Sequence, residues 1–391
     1  MEASPGPGYR RRGHVPNFLY KAIENKAVDP FDSEYTNFKK TNLCFRGQTF
    51  NNFTELAAFQ FKNSPSIYEF ATDVKAEFVR LVNMRAIKLV SREVALAPDS
   101  IISPLQWVRQ CKPDGSVKSR LILHSKANTL YTRPRFSLCE IGTEVHCVAK
   151  FQGLVKVDEK DCYYQFGVIE DAKKLLRFKL DLPGEPIVYG EWQCLVMGLS
   201  SSPFIVHLSN RFLVESYSIL TGLYGDCFID DIWTEFRPNF IHFDRFCENL
   251  GIVFKESKKE VGAQISLLGI DLDLDKKLAF IPSKKASVIE LDAGRFLAAG
   301  AVSPAHLSAF VGRLEFASKI TAMGRSKSAS LVSLLAEFVA SGGDVVSDEV
   351  CLNLRQNDMK ELLFWRHIKG PDYRGLSQNS FCHIFFPSSS L

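Results

Sequence analysis

From about Ser66 the apolar positions recur at helical spacing, with Ile67, Phe70, Ala71, Val74, Phe78, Leu81 and Val82 on one face, which predicts helix to about Val94. Residues 103–135 change character. Pro104, Pro113, Gly115 and Pro134 punctuate short apolar runs there, the signature of hairpins and turns. Between 150 and 282 short strands alternate with helical stretches. "GLVKVD" predicts a strand that ends on Asp158, and "SPFIVHLSNRFLVESYSIL" predicts a helix capped by Ser202 and opened by Pro203. "CFIDDIW" is apolar on both sides of two aspartates and predicts a buried hairpin with an acidic turn, while "SLLGIDLDLDKKLAFIP" alternates as strand or hairpin.

After Pro282 the pattern is helical. Ser303-Pro304 is a cap-and-start pair for a helix with a buried stripe of Leu307, Phe310, Val311 and Leu314, ended or bent at Gly324. Further helices are expected over Leu331–Ala340, stopped by Gly342-Gly343, and over "MKELLFWRHI". Strands mixed with helices and then helices alone predict an α+β unit followed by an all-helical one.

Composition adds bounds. At 391 residues and 46% hydrophobic the chain has ample material for a packed core, which excludes a disordered or collagen-like protein. The ten cysteines include no Cys-x-x-Cys pair, which fits reduced thiols inside a cell; cytoplasm and nucleus are not distinguished. The longest uncharged stretch, Trp192 to Asn210, is broken by Gly198, three serines and Pro203, so no membrane span is expected. The N-terminus is basic but has no apolar run behind it, so it reads as a solvated lead-in and not as a secretory signal.

The net charge of +4 points to no partner, but its distribution does. From Ile101 to Arg135 seven basic residues (Arg109, Lys112, Lys118, Arg120, Lys126, Arg133, Arg135) face one acid, Asp114, a larger surplus than that of the whole chain. Lys112 and Arg120 flank an Asp-Gly turn, from which both would lean over a polyphosphate. Asp230 and Asp231 are adjacent among apolar residues. Two carboxylates about 4 Å apart repel by about 4 kcal/mol at an effective dielectric near 20, so the pair calls for a divalent cation or a retained proton. Asp158, at the end of its own strand, would converge on the same cation if the two strands pair; oxygen donors of this kind suit Mg²⁺, with Mn²⁺ an alternative.

In their order these segments resemble the reverse transcriptases. "KPDGSVKSR" resembles the fingers hairpin, "VKVDEKDCYYQF" the first palm motif, "LVMGLSSSPF" the Gly-containing loop and helix beneath the templating pair, "FIDD" the Tyr-x-Asp-Asp turn and "SLLGIDL" the primer-grip hairpin. Retrotransposon polymerases of DIRS-like or LTR type are the group it is most similar to. The resemblance implies a right-hand polymerase fold: an N-terminal extension over 1–75, fingers and palm over 76–282, a helical thumb or connection over 283–370 and a tail over 371–391. It implies addition of deoxynucleotides to a primer on an RNA or DNA template, with two Mg²⁺ ions held by Asp158, Asp230 and Asp231.

It further implies that Lys112 and Arg120 contact the triphosphate, that Tyr163 excludes a ribose 2′-hydroxyl, that Gly198 allows a close approach to the nucleotide, and that Lys258 protonates the leaving pyrophosphate. Lys259 is a neighbouring candidate for that last role. Departures are Phe228 in place of the turn tyrosine, His124-Ser125-Lys126 where an Asp-x-Arg is common, with Lys126 keeping the charge, and Met197 before Gly198. No acidic cluster of a ribonuclease H follows, so a truncated or split element product is expected. A decayed copy that binds nucleic acid without catalysis, and an RNA-dependent RNA polymerase, stay open as alternatives; the latter would prefer a small residue at Tyr163. Oligomeric state is not indicated. A calcium loop over Asp271, Asp273 and Asp275 is rejected, because Lys276 and Pro282 stand where glycine and glutamate are required; those aspartates are expected on the solvent face of a hairpin.

Overall fold

The computed structural model describes residues 61–111, 115–130, 136–321 and 324–368, with the backbone of the antiparallel pair Leu43–Phe45 and Gln48–Phe50. Lys112, Arg133, Arg135, the basic N-terminal lead-in and the tail 371–391 lie outside the described residues. The described chain mixes helices with mainly antiparallel sheets, as an α+β protein does. It divides into two units: residues to Leu138 with Val157–Ile232 and Ile241–Lys259, and Cys139–Lys156 with Trp233–Phe240 and residues from Glu260.

In the first unit the helical run from Ser66 is shorter than its spacing suggests. It comprises Pro65–Glu69 and Ala71–Asn83, the latter burying Val74, Phe78 and Leu81. Arg85 then takes a left-handed φ of 59° and Ile87–Val90 is a strand, antiparallel to Val188–Trp192. The expectation of helix to Val94 is therefore corrected: sheet pairing with a partner a hundred residues away overrides the local spacing. The sheet continues through Arg177–Leu180 to Ile102–Ser103, whose pairing is parallel. Ile67, Leu81, Phe178, Trp192 and Val206 are fully buried in one cluster. Removing such side chains from water stabilises the fold by about 1.5–3 kcal/mol each. Leu105–Cys111 and Val117–Leu123 form the expected hairpin.

Two further features position the acidic residues. The helix Ser202–Thr221 starts one residue early, with Ser201 as its cap and Pro203 inside the first turn. A four-stranded sheet has the order Gly225–Phe228, Asp231–Glu235, Leu154–Asp158, Glu260–Gly262, so the strand that ends on Asp158 is hydrogen-bonded beside the strand that begins on Asp231.

In the second unit Gln264–Leu267, Ile270–Asp273 and Leu278–Phe280 form an antiparallel meander. Asp273 is buried and accepts the Lys276 amide at 3.0 Å, closing the last turn, which corrects its expected place on a solvent face. Ser303 caps the helix Pro304–Ser318 by accepting from the His306 amide. That helix ends at Ser318, before Gly324, which opens a separate short turn packed on Ser318. Leu307, Phe310 and Leu314 are fully buried in one cluster with Ala293 and Phe296 of Ser283–Ala299 and with Leu362 and Trp365 of Gln356–Arg366. Phe296 and Phe310 meet edge to face at 5.3 Å. Among the described residues no helix is long and apolar enough to cross a membrane.

Candidate active site

The site grows from two strand ends. Asp158 closes a strand whose Leu154, Val155 and Val157 are all buried, and is itself only 5% exposed. The next residue, Glu159, donates its amide to the Asp230 carbonyl at 3.4 Å, so the end of this strand adjoins the acidic turn. That turn is built by Ile229, which takes a φ of 59°, and is secured by Asn210, whose Nδ2 donates to the Ile229 carbonyl at 2.8 Å. Asn210 sits fully buried on the helix Ser202–Thr221, and sequence reasoning did not single it out.

Both oxygens of the Asp158 carboxylate are held by cations. Lys255 bonds Oδ1 and Lys258 bonds Oδ2, the latter at 2.5 Å. Lys255 also donates its backbone amide to the Asp158 carbonyl at 2.9 Å. Burial alone would raise the Asp158 pKa, but the bonds and charges of Lys255 and Lys258 outweigh it and hold the carboxyl below its ordinary range. Lys258 thus lies against Asp158, and sequence reasoning did not single out Lys255. Lys259 is directed elsewhere, to the buried Asp244.

The hairpin of Leu105–Cys111 and Val117–Leu123 supplies two more cations. Lys118 feels the charges of Arg120, Lys258, Lys255 and Asp158, although burial is the largest cause lowering its pKa. Arg120 is also close enough to act on Tyr163, which lies in the short turn Cys162–Gln165, partly buried. Burial and then the Asp230 charge push the Tyr163 phenol up to about 12. Five sequence-selected residues are thereby brought together: Asp158, Asp230, Tyr163, Arg120 and Lys258. Asp231 begins the adjoining strand and is half-buried. Lys112 lies outside the described residues.

The rest of the basic stretch does other things. Arg109 lies over the Phe70 ring at 4.5 Å. Lys126 is fully buried with its ammonium 4.5 Å from the Phe61 ring centroid, so it does not replace a phosphate-facing arginine. Gly198 is pressed against the chain's own backbone. It has a φ of +102°, and a Cβ there would lie 1.9 Å from the Leu123 carbonyl oxygen, so a close approach that demands glycine is made by the strand Val117–Leu123. Asn128 ties this loop down, donating to the Gly198 carbonyl at 2.7 Å and accepting from the Ser200 amide at 2.9 Å.

Asp158, Asp230 and Asp231 offer only hard oxygen donors, the set that suits Mg²⁺, and the cations now satisfying Asp158 supply the neutralisation that a bound dication would bring. The donor chemistry suits such an ion, while both Asp158 oxygens are taken by lysine ammonium groups. Among the described residues the group of three whose ligand atoms approach within 4.8 Å of one another is a different one, Asp244, Glu248 and Glu256. Its charge is offset by Lys259 on Asp244 and by Arg245 on Glu248 at 2.7 Å.

No protein-family model matches the sequence, and no curated protein does. The fold, however, is similar to a solved structure of the foamy viral protease-reverse transcriptase dRH in complex with double-stranded DNA. The TM-score is 0.57 at 12% identity, over 94% of this chain and 62% of that one. At that identity the likeness is one of fold, and the chain has a reverse-transcriptase-like fold.

Proposed function

We propose that this protein is a retroelement reverse transcriptase that adds deoxynucleotides to a primer 3′-hydroxyl on an RNA or DNA template. In this reading residues 76–282 are fingers and palm and 283–370 the thumb or connection. Asp158, Asp230 and Asp231 would hold two Mg²⁺ ions, which when bound activate the 3′-hydroxyl and stabilise charge on the reacting phosphate. Arg120 and Lys112 neutralise the triphosphate from the fingers side, to which the geometry adds Lys118. Tyr163 closes the space beside the sugar 2′ carbon. Lys258, with its ammonium against the acidic floor, donates a proton to the departing pyrophosphate. Gly198 keeps the loop under the template seated on Leu123.

The observation that carries this reading is the meeting of two strand ends: the Glu159 amide on the Asp230 carbonyl, with Asp158 beside it and cations of the fingers hairpin around it. Primer extension on poly-A with oligo-dT, in Mg²⁺ and then in Mn²⁺, tests it. The expected result is incorporation that Asp230→Asn abolishes. Equal background in both proteins, with primer–template binding retained, would instead establish a nucleic-acid-binding protein without catalysis.

A further inference from the structure

The helix Ser202–Thr221 holds the acidic hairpin at three successive points. Arg211 donates to Asp226 Oδ1 at 3.2 Å, and the same oxygen accepts the Cys227 amide at 2.8 Å. Cys227 is fully buried, with its Sγ 3.6 Å from His207 Nδ1. Asn210 then reaches the turn itself, donating Nδ2 to the Ile229 carbonyl at 2.8 Å. His207, Asn210 and Arg211 stand three and four residues apart, on one face of the helix, so that face is keyed to positions 226, 227 and 229 of the hairpin.

The contact at Ile229 falls where the backbone most resists its own conformation. Ile229 has a φ of 59°, at which a β-branched side chain is a steric outlier. The next two residues are Asp230 and Asp231, so a turn that relaxed out of the left-handed region would re-aim both carboxylates. Asn210 is fully buried, and among the described residues its Oδ1 has no hydrogen-bond partner. A half-satisfied buried amide costs stability that a leucine of similar size would not. Packing alone therefore does not account for an amide at this position; its donor to the strained turn does.

We propose that Asn210 is a positioning residue for nucleotidyl transfer: its amide holds Ile229 in the left-handed conformation and so fixes the aim of Asp230 and Asp231. This rests on the proposed polymerase function, and none of the roles drawn from the reverse-transcriptase resemblance uses this residue.

The test removes the donor and then the need for it. Asn210→Leu keeps the volume without the N–H, and Ile229→Gly lets the turn take a positive φ without a tether. Steady-state primer extension by the full chain, on poly-A with oligo-dT in Mg²⁺, should give a kcat roughly 10- to 100-fold lower in Asn210→Leu, as a small misplacement of reacting groups does. The KM for dTTP should stay within roughly threefold, because the cations of the Leu105–Cys111 and Val117–Leu123 hairpin are untouched. In the metal-free protein, amide hydrogen exchange followed by mass spectrometry should quicken about tenfold over residues 225–232 and stay unchanged along the helix. In an Ile229→Gly background the same Asn210→Leu change should alter kcat and exchange by less than roughly threefold. An unchanged kcat in Asn210→Leu overturns the positioning role and leaves the polymerase reading standing. An equal loss in both backgrounds also overturns it, and faster exchange along the whole helix then makes Asn210 a packing residue. Absence of Asp230-dependent incorporation by the parent protein overturns the polymerase reading and this inference together.

Discussion

The Cβ that Gly198 lacks would lie 1.9 Å from the Leu123 carbonyl oxygen and 2.9 Å from its carbon. Both are backbone atoms, which cannot rotate aside, and Leu123 also donates its amide to the Met197 carbonyl at 3.0 Å. Gly198→Ala therefore meets a steric clash and a positive φ at once. Backbone strain of this kind costs about 1–3 kcal/mol and overpacking about 1–3 kcal/mol more. Urea unfolding should show a loss of at least about 2 kcal/mol, accompanied by weaker primer extension. Wild-type stability in this variant would refute the contact.

Glu144 and Trp233 make a second, independent relationship. The indole Nε1 donates to Glu144 Oε1 at 2.6 Å, where Trp233 is fully buried and Glu144 is 3% exposed. Glu144→Leu leaves the indole N–H without this acceptor, which costs about 1–3 kcal/mol. Adding Trp233→Phe removes the orphaned donor, so the double variant should lose less than the two single losses together. Denaturant midpoints of the three proteins measure this coupling, and strict additivity would show that the bond carries no stability.

How far the sequence reveals this molecule depends on the range over which each signal acts. The hairpin around Asp230, the strand ending on Asp158 and the Ser303 cap are local patterns, and each appears in the structure where its residues predict it. The strand Ile87–Val90 was hidden because its partner is Val188–Trp192 and because Arg85, not a glycine, makes the left-handed turn before it. Lys255 was hidden for the same reason: it lies 97 residues from Asp158, and nothing within its own segment announces the pairing. Lys126 is the converse case. Its charge was legible in the sequence, but its burial against Phe61 was not.

Acid should report on the Asp158 clamp. Its carboxyl is held below the ordinary value of 3.8, so it binds fewer protons folded than unfolded just below that value. The clamp thus contributes stability that is fully present above the unfolded pKa and is lost as pH falls through the lowered folded one. In metal-free buffer Asp158→Asn should be the less stable protein at pH 7, and the gap should close below about pH 4. Urea titrations at stepped pH measure the gap; a gap that persists unchanged at low pH would show that Asp158 is not stabilised as an anion.

Tyr163 separates a steric role from an electronic one. Burial, and then Asp230, raise its phenol from 10.0 to about 12, so the neutral form is favoured in the folded chain. The stability this contributes is fully present below pH 10 and is lost as pH rises toward 12, which leaves the hydroxyl protonated throughout the range in which a polymerase is assayed. If the ring discriminates against ribonucleotides by occupying space, Tyr163→Phe keeps the discrimination, and Tyr163→Ala relaxes it by roughly 10- to 200-fold, the range that small steric differences in a pocket command. Single-nucleotide incorporation of matched ribo- and deoxynucleotides, compared as kcat/KM between pH 6.5 and 9.5, should give a ratio that is flat with pH in the parent protein. A ratio that falls in Tyr163→Phe as far as in Tyr163→Ala would assign the selection to the hydroxyl, whereas an unchanged ratio in Tyr163→Ala would leave the ring a packing residue.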